Sequence, residues 1–194
     1  MGFRLPLFNY HIMIGTHDSY TFLPARKKLF EWFSFLWRTQ VKSIAQQKEI
    51  GVTYFDVRVR RDGNVWRVCH GLVDFCLTFK SIGEIVNIFS VYKVRIILER
   101  EGSEDLFREE VLESIPCLAL SFACIKNGWK VILDRDPRIF DYTYTPWLSG
   151  VSFWDNIKRF NFFSTIKRWA KKHNPVINDI LKKDSTNVYF MDYV

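Results

Sequence analysis

An α/β fold with a parallel sheet is what three features of this 194-residue sequence predict. Apolar β-type runs alternate with longer helical stretches, the composition supports one sizeable core, and polar residues gather just after the strands. With 48% hydrophobic and 17% aromatic residues against 25% charged, the chain is too apolar to be disordered. Its length fits one domain over residues 1–194.

In chain order, the apolar runs place strands at residues 11–15, 52–60, 65–69, 94–99, 129–133 and 188–193, with a further short run at 151–154. Between them, helical patterns span residues 26–50, 81–89, 103–114, 156–173 and 176–182. In the fourth of these, Ile157, Phe160, Phe163, Ile166 and Trp169 recur at three-residue spacing, as expected of a helix packed on a sheet. Periodicity fits an open doubly wound sheet and a closed barrel equally well. The polar residues favour the barrel: His17 and Asp18 follow the first strand, Arg58 lies late in the second and His70 follows the third. Glu99, Arg135 and Asp192 repeat the arrangement on later strands, and barrel enzymes collect their sites at the carboxyl ends of several strands. A full eight-unit barrel takes about 250 residues. The expected fold is therefore an irregular, trimmed (β/α) barrel.

Composition also excludes. Uninterrupted apolar stretches such as Ile96-Ile97-Leu98 are too short for a membrane-spanning helix. The first eleven residues contain no apolar core of a secretory signal, and Gly2 lacks the Ser or Thr that myristoylation prefers. Cys69, Cys76, Cys117 and Cys124 form no CxxC pair and sit among apolar neighbours, so buried thiols are expected rather than disulfides or a zinc site. A cytoplasmic protein, monomeric and peripherally associated with membranes, is the expectation.

Charge points to an anionic partner. Lys+Arg 28 against Asp+Glu 21 gives +7, concentrated in Arg26-Lys27-Lys28 and in Lys158, Arg159, Lys167, Arg168, Lys171 and Lys172. No nucleic-acid recognition motif accompanies these clusters, which leaves an acidic membrane surface or simply solvated helix faces. Leu29-Phe30-Glu31-Trp32-Phe33-Ser34-Phe35-Leu36-Trp37 has seven apolar residues in nine, five of them aromatic, more than one normal helix stripe can bury. Beside the basic triplet this describes either an interfacial helix, with Trp32, Phe33 and Trp37 at the membrane, or a helix packed on the barrel wall.

Two stretches carry chemistry. One is Gly15-Thr16-His17-Asp18-Ser19; the other runs from Gly51-Val52-Thr53-Tyr54-Phe55-Asp56-Val57-Arg58-Val59 to His70-Gly71. Two imidazoles and a guanidinium suit phosphoryl transfer: a neutral histidine takes a proton, a protonated one gives a proton, and arginine holds phosphate oxygens. Turn histidines that merely cap backbone are the competing explanation.

In order and spacing these blocks resemble the X region of phosphatidylinositol-specific phospholipases C, most closely the bacterial type. The resemblance implies an irregular TIM barrel and cleavage of phosphatidylinositol to diacylglycerol and a cyclic inositol phosphate. It implies that His17 is general base on the inositol 2-hydroxyl and His70 general acid on the diacylglycerol oxygen. Asp18 matches the carboxylate paired with that acid, Arg58 the phosphate-binding arginine and Asp192 the aspartate that orients the base. Arg135 and Asp155 resemble inositol contacts, although a tyrosine the family carries two residues after that aspartate is Ile157 here. Trp37-Arg38-Thr39-Gln40 resembles the membrane-inserting rim helix of the bacterial relatives.

Animal members hold calcium at this site, where the matching positions are Asp18, Asp56 and Glu99. Arg58 falls on a metal-ligand position and would repel the ion, so no cofactor is expected, with Glu99 free to pair with Arg58. Other glycerophospho- or sphingo-phosphodiesterases of the barrel superfamily, and a non-catalytic lipid-binding module, are the alternatives. Acidic metal clusters mark the former, and the latter has no need of proton-transfer groups.

Overall fold

A computed structural model gives the fold and describes residues 13–89, 92–99, 102–114, 121–126, 129–134, 139–142, 166–181 and 188–194. One sheet joins β1 (Met13–Thr16), β2 (Val52–Asp62), β3 (Val65–His70), β4 (Val73–Phe79), β5 (Lys93–Leu98), β6 (Ser121–Lys126), β7 (Trp129–Asp134), β8 (Ile139–Tyr142) and β9 (Val188–Met191). Its main path runs β7-β6-β5-β2-β1-β9-β8. The interior of that path, from β6 through β5, β2, β1 and β9 to β8, is parallel.

The sheet departs from the expected barrel. It is mixed, and among the described residues it does not close. Only residues 127–128 separate β6 from β7, and a link that short permits only an antiparallel return. Likewise β2 outruns its parallel neighbours and turns back through β3 and β4 as an antiparallel ribbon. Strands β4, β6 and β8 were not expected, because each mixes polar and apolar residues in a short run. The proposed strand at 151–154 lies outside the described residues, as do Arg135 and Asp155.

The long helix expected over residues 26–50 is broken into α1 (Lys28–Trp32), a 3-10 turn (Ser34–Leu36) and α2 (Ile44–Glu49). The intervening stretch is irregular, and Trp37, Thr39 and Gln40 within it are buried rather than strung along a helix face. Chain direction is reset at Ser43, whose hydroxyl accepts from Gln46 N while the Gln46 side chain accepts from Ser43 N. Helices α3 (Ile82–Ile88) and α4 (Glu104–Ser114) match the expected pattern. The two C-terminal helices are one, α5 (Ile166–Leu181), which runs through Pro175, while residues 156–165 lie outside the described part. Asn174 ties this helix to the end of β9 by donating to the Asp192 and Tyr193 carbonyls.

The core lies between the sheet and α3/α4, where Phe55, Val57, Trp66, Phe75, Ile82, Ile85, Phe89, Ile96, Leu98 and Phe107 are buried together. Each such side chain contributes about 1.5–3 kcal/mol. Strand alternation corrects one expectation: Val73 and Phe75 take the inner face of β4, so Cys76 faces solvent instead of being buried.

Candidate active site

His17 follows β1 at the centre of the sheet, where its N–H donates to Met191 O at the end of β9. Asp18 then adopts a left-handed φ of 47°, a conformation that Asp tolerates better than most residues. This turn is fastened to β2: Asp18 N donates to Asp56 Oδ2, Ser19 N to Asp56 O, and Asp56 N to Ser19 Oγ. Parallel β1 and β9 end together, which brings His17 Nδ1 within 2.8 Å of Asp192 Oδ1, 175 positions away. The carboxylate only accepts, so Nδ1 carries a proton and Nε2 is left as the basic nitrogen. Nε2 faces Arg58 Nη2 at 2.6 Å and Asp18 Oδ2 at 3.2 Å. Burial lowers the His17 pKa, but Asp18 and Asp192 outweigh burial and Arg58, and the net shift is upward.

His70 ends β3 with its ring centroid 6.1 Å from that of His17, the planes nearly perpendicular. Its Nε2 lies 3.0 Å from Asp18 Oδ2, and its Nδ1 donates to Trp37 O at 2.8 Å. Both ring nitrogens therefore meet acceptors, an arrangement that an imidazolium satisfies in full and a neutral ring only in half. Gly71 turns the chain with a left-handed φ of 56°, which accounts for glycine directly after the histidine.

Arg58 lies against the His17 ring, on the last part of β2 to pair with β5. Its Nη1 donates to Glu99 Oε1 at 2.7 Å, and its Nε contacts Asp18 and, more loosely, Asp56. Burial disfavours the guanidinium charge, yet Asp18, Asp56 and Glu99 raise its pKa well above the usual value. Glu99 Oε2 also accepts from Gly71 N; burial pushes that carboxyl up, but Arg58 and His70 bring it below its ordinary value. Beneath them Arg95 Nε donates to Asp56 Oδ1 at 2.9 Å, and with Arg58 it overrides burial to hold Asp56 far below the carboxylate range.

His17, Asp18 and Asp56 place potential ligand atoms within 4.8 Å of one another. They do not fit calcium, which takes 6–8 oxygen ligands. Here one ligand is an imidazole, and the carboxylates are already engaged by Arg58 and Arg95.

The structure thus brings His17, Asp18, Asp56, Arg58, His70, Glu99 and Asp192 to one place. At the rim it separates the three aromatic residues expected at a membrane. Trp32 is 81% exposed and Phe33 is also exposed, but Trp37 is only 7% exposed. The indole of Trp37 donates to Phe30 O and packs on Phe75, so Trp37 is core and not membrane contact. Sequence reading missed Arg95, Thr39 and Gln40. A lone arginine within the apolar β5 was a visible sign; the other two carried none until chain ends were brought beside them.

No family model matches the chain, and no curated protein matches it. Solved structures do. The phosphatidylinositol-specific phospholipase C of Staphylococcus aureus, in a study of its membrane binding, superposes with a TM-score of 0.57 at 16% identity, over 94% of this chain and 85% of that one. The phosphatidylinositol-specific phospholipase C of Listeria monocytogenes gives 0.53 at 17% identity, over 93% and 87%. The chain has the fold of these bacterial enzymes.

Proposed function

We propose that the chain is a metal-independent phosphatidylinositol phospholipase C, a phosphorus–oxygen lyase. The observation that carries this reading is the pair of imidazoles 6.1 Å apart with Arg58 2.6 Å from the basic nitrogen of one of them. The fold shared with bacterial phospholipases C supports it.

In the proposed reaction His17 Nε2 removes the proton from the inositol 2-hydroxyl, with Asp192 holding the ring and stabilising the imidazolium that forms. The hydroxyl oxygen bonds to its own neighbouring phosphorus, so the nucleophile is positioned before the step begins. His70 Nε2–H gives its proton to the departing diacylglycerol oxygen as the phosphorus–oxygen bond breaks, leaving a cyclic inositol phosphate. Arg58 neutralises charge on the phosphoryl oxygens. Substrate entry exchanges the Arg58–His17 hydrogen bond for two others: guanidinium to phosphoryl oxygen, and hydroxyl to Nε2.

The enzyme is proposed to act as a monomer on phosphatidylinositol at an anionic membrane surface. Exposed Leu29, Trp32 and Phe33 beside Lys27 and Lys28 support peripheral docking there. No helix among the described residues is long and apolar enough to cross a membrane. Incubation with phosphatidylinositol vesicles in excess EDTA, followed by phosphorus NMR, is the test. A cyclic phosphodiester is expected. A linear monoester, or turnover that returns only with calcium, overturns the mechanism.

A further inference from the structure

His17 and Asp192 follow different strands, and their side chains meet just beyond the last rung of the β1–β9 ladder, where one backbone hydrogen bond, His17 N to Met191 O at 3.1 Å, joins the two chain ends. The chain segment after the 3-10 turn adds a second restraint. Gln40, which is fully buried, donates from Nε2 to His17 O at 3.2 Å and to Met191 O at 2.8 Å. Its Oε1 accepts from Val194 N at 3.3 Å. One amide therefore grips the backbone on both sides of the pair, using both of its donor hydrogens and one acceptor site. Thr39 reinforces it: its hydroxyl donates to His17 O, and its carbonyl accepts from Tyr193 N at 2.6 Å. Tyr193, immediately after Asp192, is held in a left-handed φ of 51° that a tyrosine rarely adopts unaided.

We infer that Gln40 is a positioning residue for the general base: its amide sets the distance between His17 and Asp192. This rests on the reading of His17 as the base. Gln40 itself touches neither the His17 ring nor the Asp192 carboxylate, so its effect on the reaction passes through that pair. The other groups facing the His17 ring, Asp18 and Arg58 by contact and His70 and Asp56 nearby, keep their own anchors when Gln40 changes.

A double-mutant cycle tests it. Gln40→Met, which keeps the volume and removes both donors, is expected to lower kcat on phosphatidylinositol vesicles about 10²-fold, the scale of a misplacement near 1 Å, with KM unchanged. In an Asp192→Ala background the same change costs nothing further. Should the methionine variant fail to fold, Gln40→Asn keeps the amide but falls one methylene short of spanning both carbonyls, and it takes the same measurements. A second readout needs no turnover: the low-field Nδ1 proton of His17 in the NMR spectrum is expected to vanish in Asp192→Ala and to weaken or shift in the Gln40 variants. An unmoved resonance, or equal losses of kcat with and without Asp192, overturns the inference. Failure of the parent protein to cleave the lipid overturns the proposed activity instead, and leaves the resonance to judge Gln40.

Discussion

His17 hangs from β1 between two parallel neighbours with 9% of its side chain exposed, whereas His70 ends an antiparallel strand with 20% exposed. The partner of His17 Nδ1 is a carboxylate from the adjacent strand; that of His70 Nδ1 is a backbone carbonyl, Trp37 O, at the edge of the exposed aromatic segment. Asp18 Oδ2 stands between them, 3.2 Å from one ring and 3.0 Å from the other. His17 is thus tuned by buried charges on side chains. His70 is oriented by main chain, which no point substitution removes; in the proposed mechanism these are the base half and the acid half, and the greater exposure of His70 suits the proposed contact with a leaving lipid.

If the halves differ in this way, the largest effects separate them. His17→Ala and His70→Ala should each lower kcat on phosphatidylinositol about 10²–10⁴-fold. With an inositol phosphodiester whose leaving group is a nitrophenol, His70→Ala should recover most of its rate and His17→Ala should not, because an acidic phenol departs without a proton. Equal losses on both substrates would break the distinction.

A smaller effect sharpens the base half. The upward shift of His17 means that the acid limb of the pH–rate profile lies above the ordinary imidazole value of about 6.5, since the base works only when deprotonated. Asp192→Asn removes one of the charges that raise it, so that limb should move to lower pH while kcat falls. A limb that stays in place would show that Asp192 does not act on His17.

Stability comes next. Asp56→Ala strips Arg95 and Arg58 of a fully buried carboxylate, and breaking such a pair costs about 3–5 kcal/mol, measurable by urea unfolding. Because Asp56 is held below its unfolded value, its contribution is complete above roughly pH 4 and drains away as pH falls. Loss of stability between neutral pH and pH 5 assignable to Asp56 would contradict this.

The last contrast concerns the aromatic segment beside His70, where a large effect and the smallest one stand five residues apart. Trp37→Ala should destabilise by about 3–5 kcal/mol, as for other buried tryptophans. Trp32→Ala should change stability by no more than about 0.5 kcal/mol while weakening sedimentation with anionic vesicles. Reversal of these two outcomes would mean that the buried and exposed tryptophans had been confused.

How much was legible in the chain follows from the range of the forces involved. Local pattern determined the α/β class, the strands bearing Arg58 and Glu99, helices α3 and α4, and the identity of His17, Asp18, Arg58, His70 and Asp192, since turns, periodicity and short motifs are set by near neighbours. The course of residues 26–50 was not local: the helical pattern favoured a single helix, but burial of Trp37 and the hydrogen bonds of Thr39 and Gln40 to distant chain ends overrode it. Antiparallel returns at β3–β4 and β6–β7 were hidden because β4 and β6 do not read as strands; once the sheet makes them strands, their short links fix the direction. Sequence alone therefore named the groups to which the proposed mechanism gives the proton transfers. Only the tertiary structure decided how far apart they stand, which nitrogen of each ring is committed to a partner, and that Arg58 and Arg95 engage the carboxylates beside His17, because distances between residues remote along the chain are set by packing.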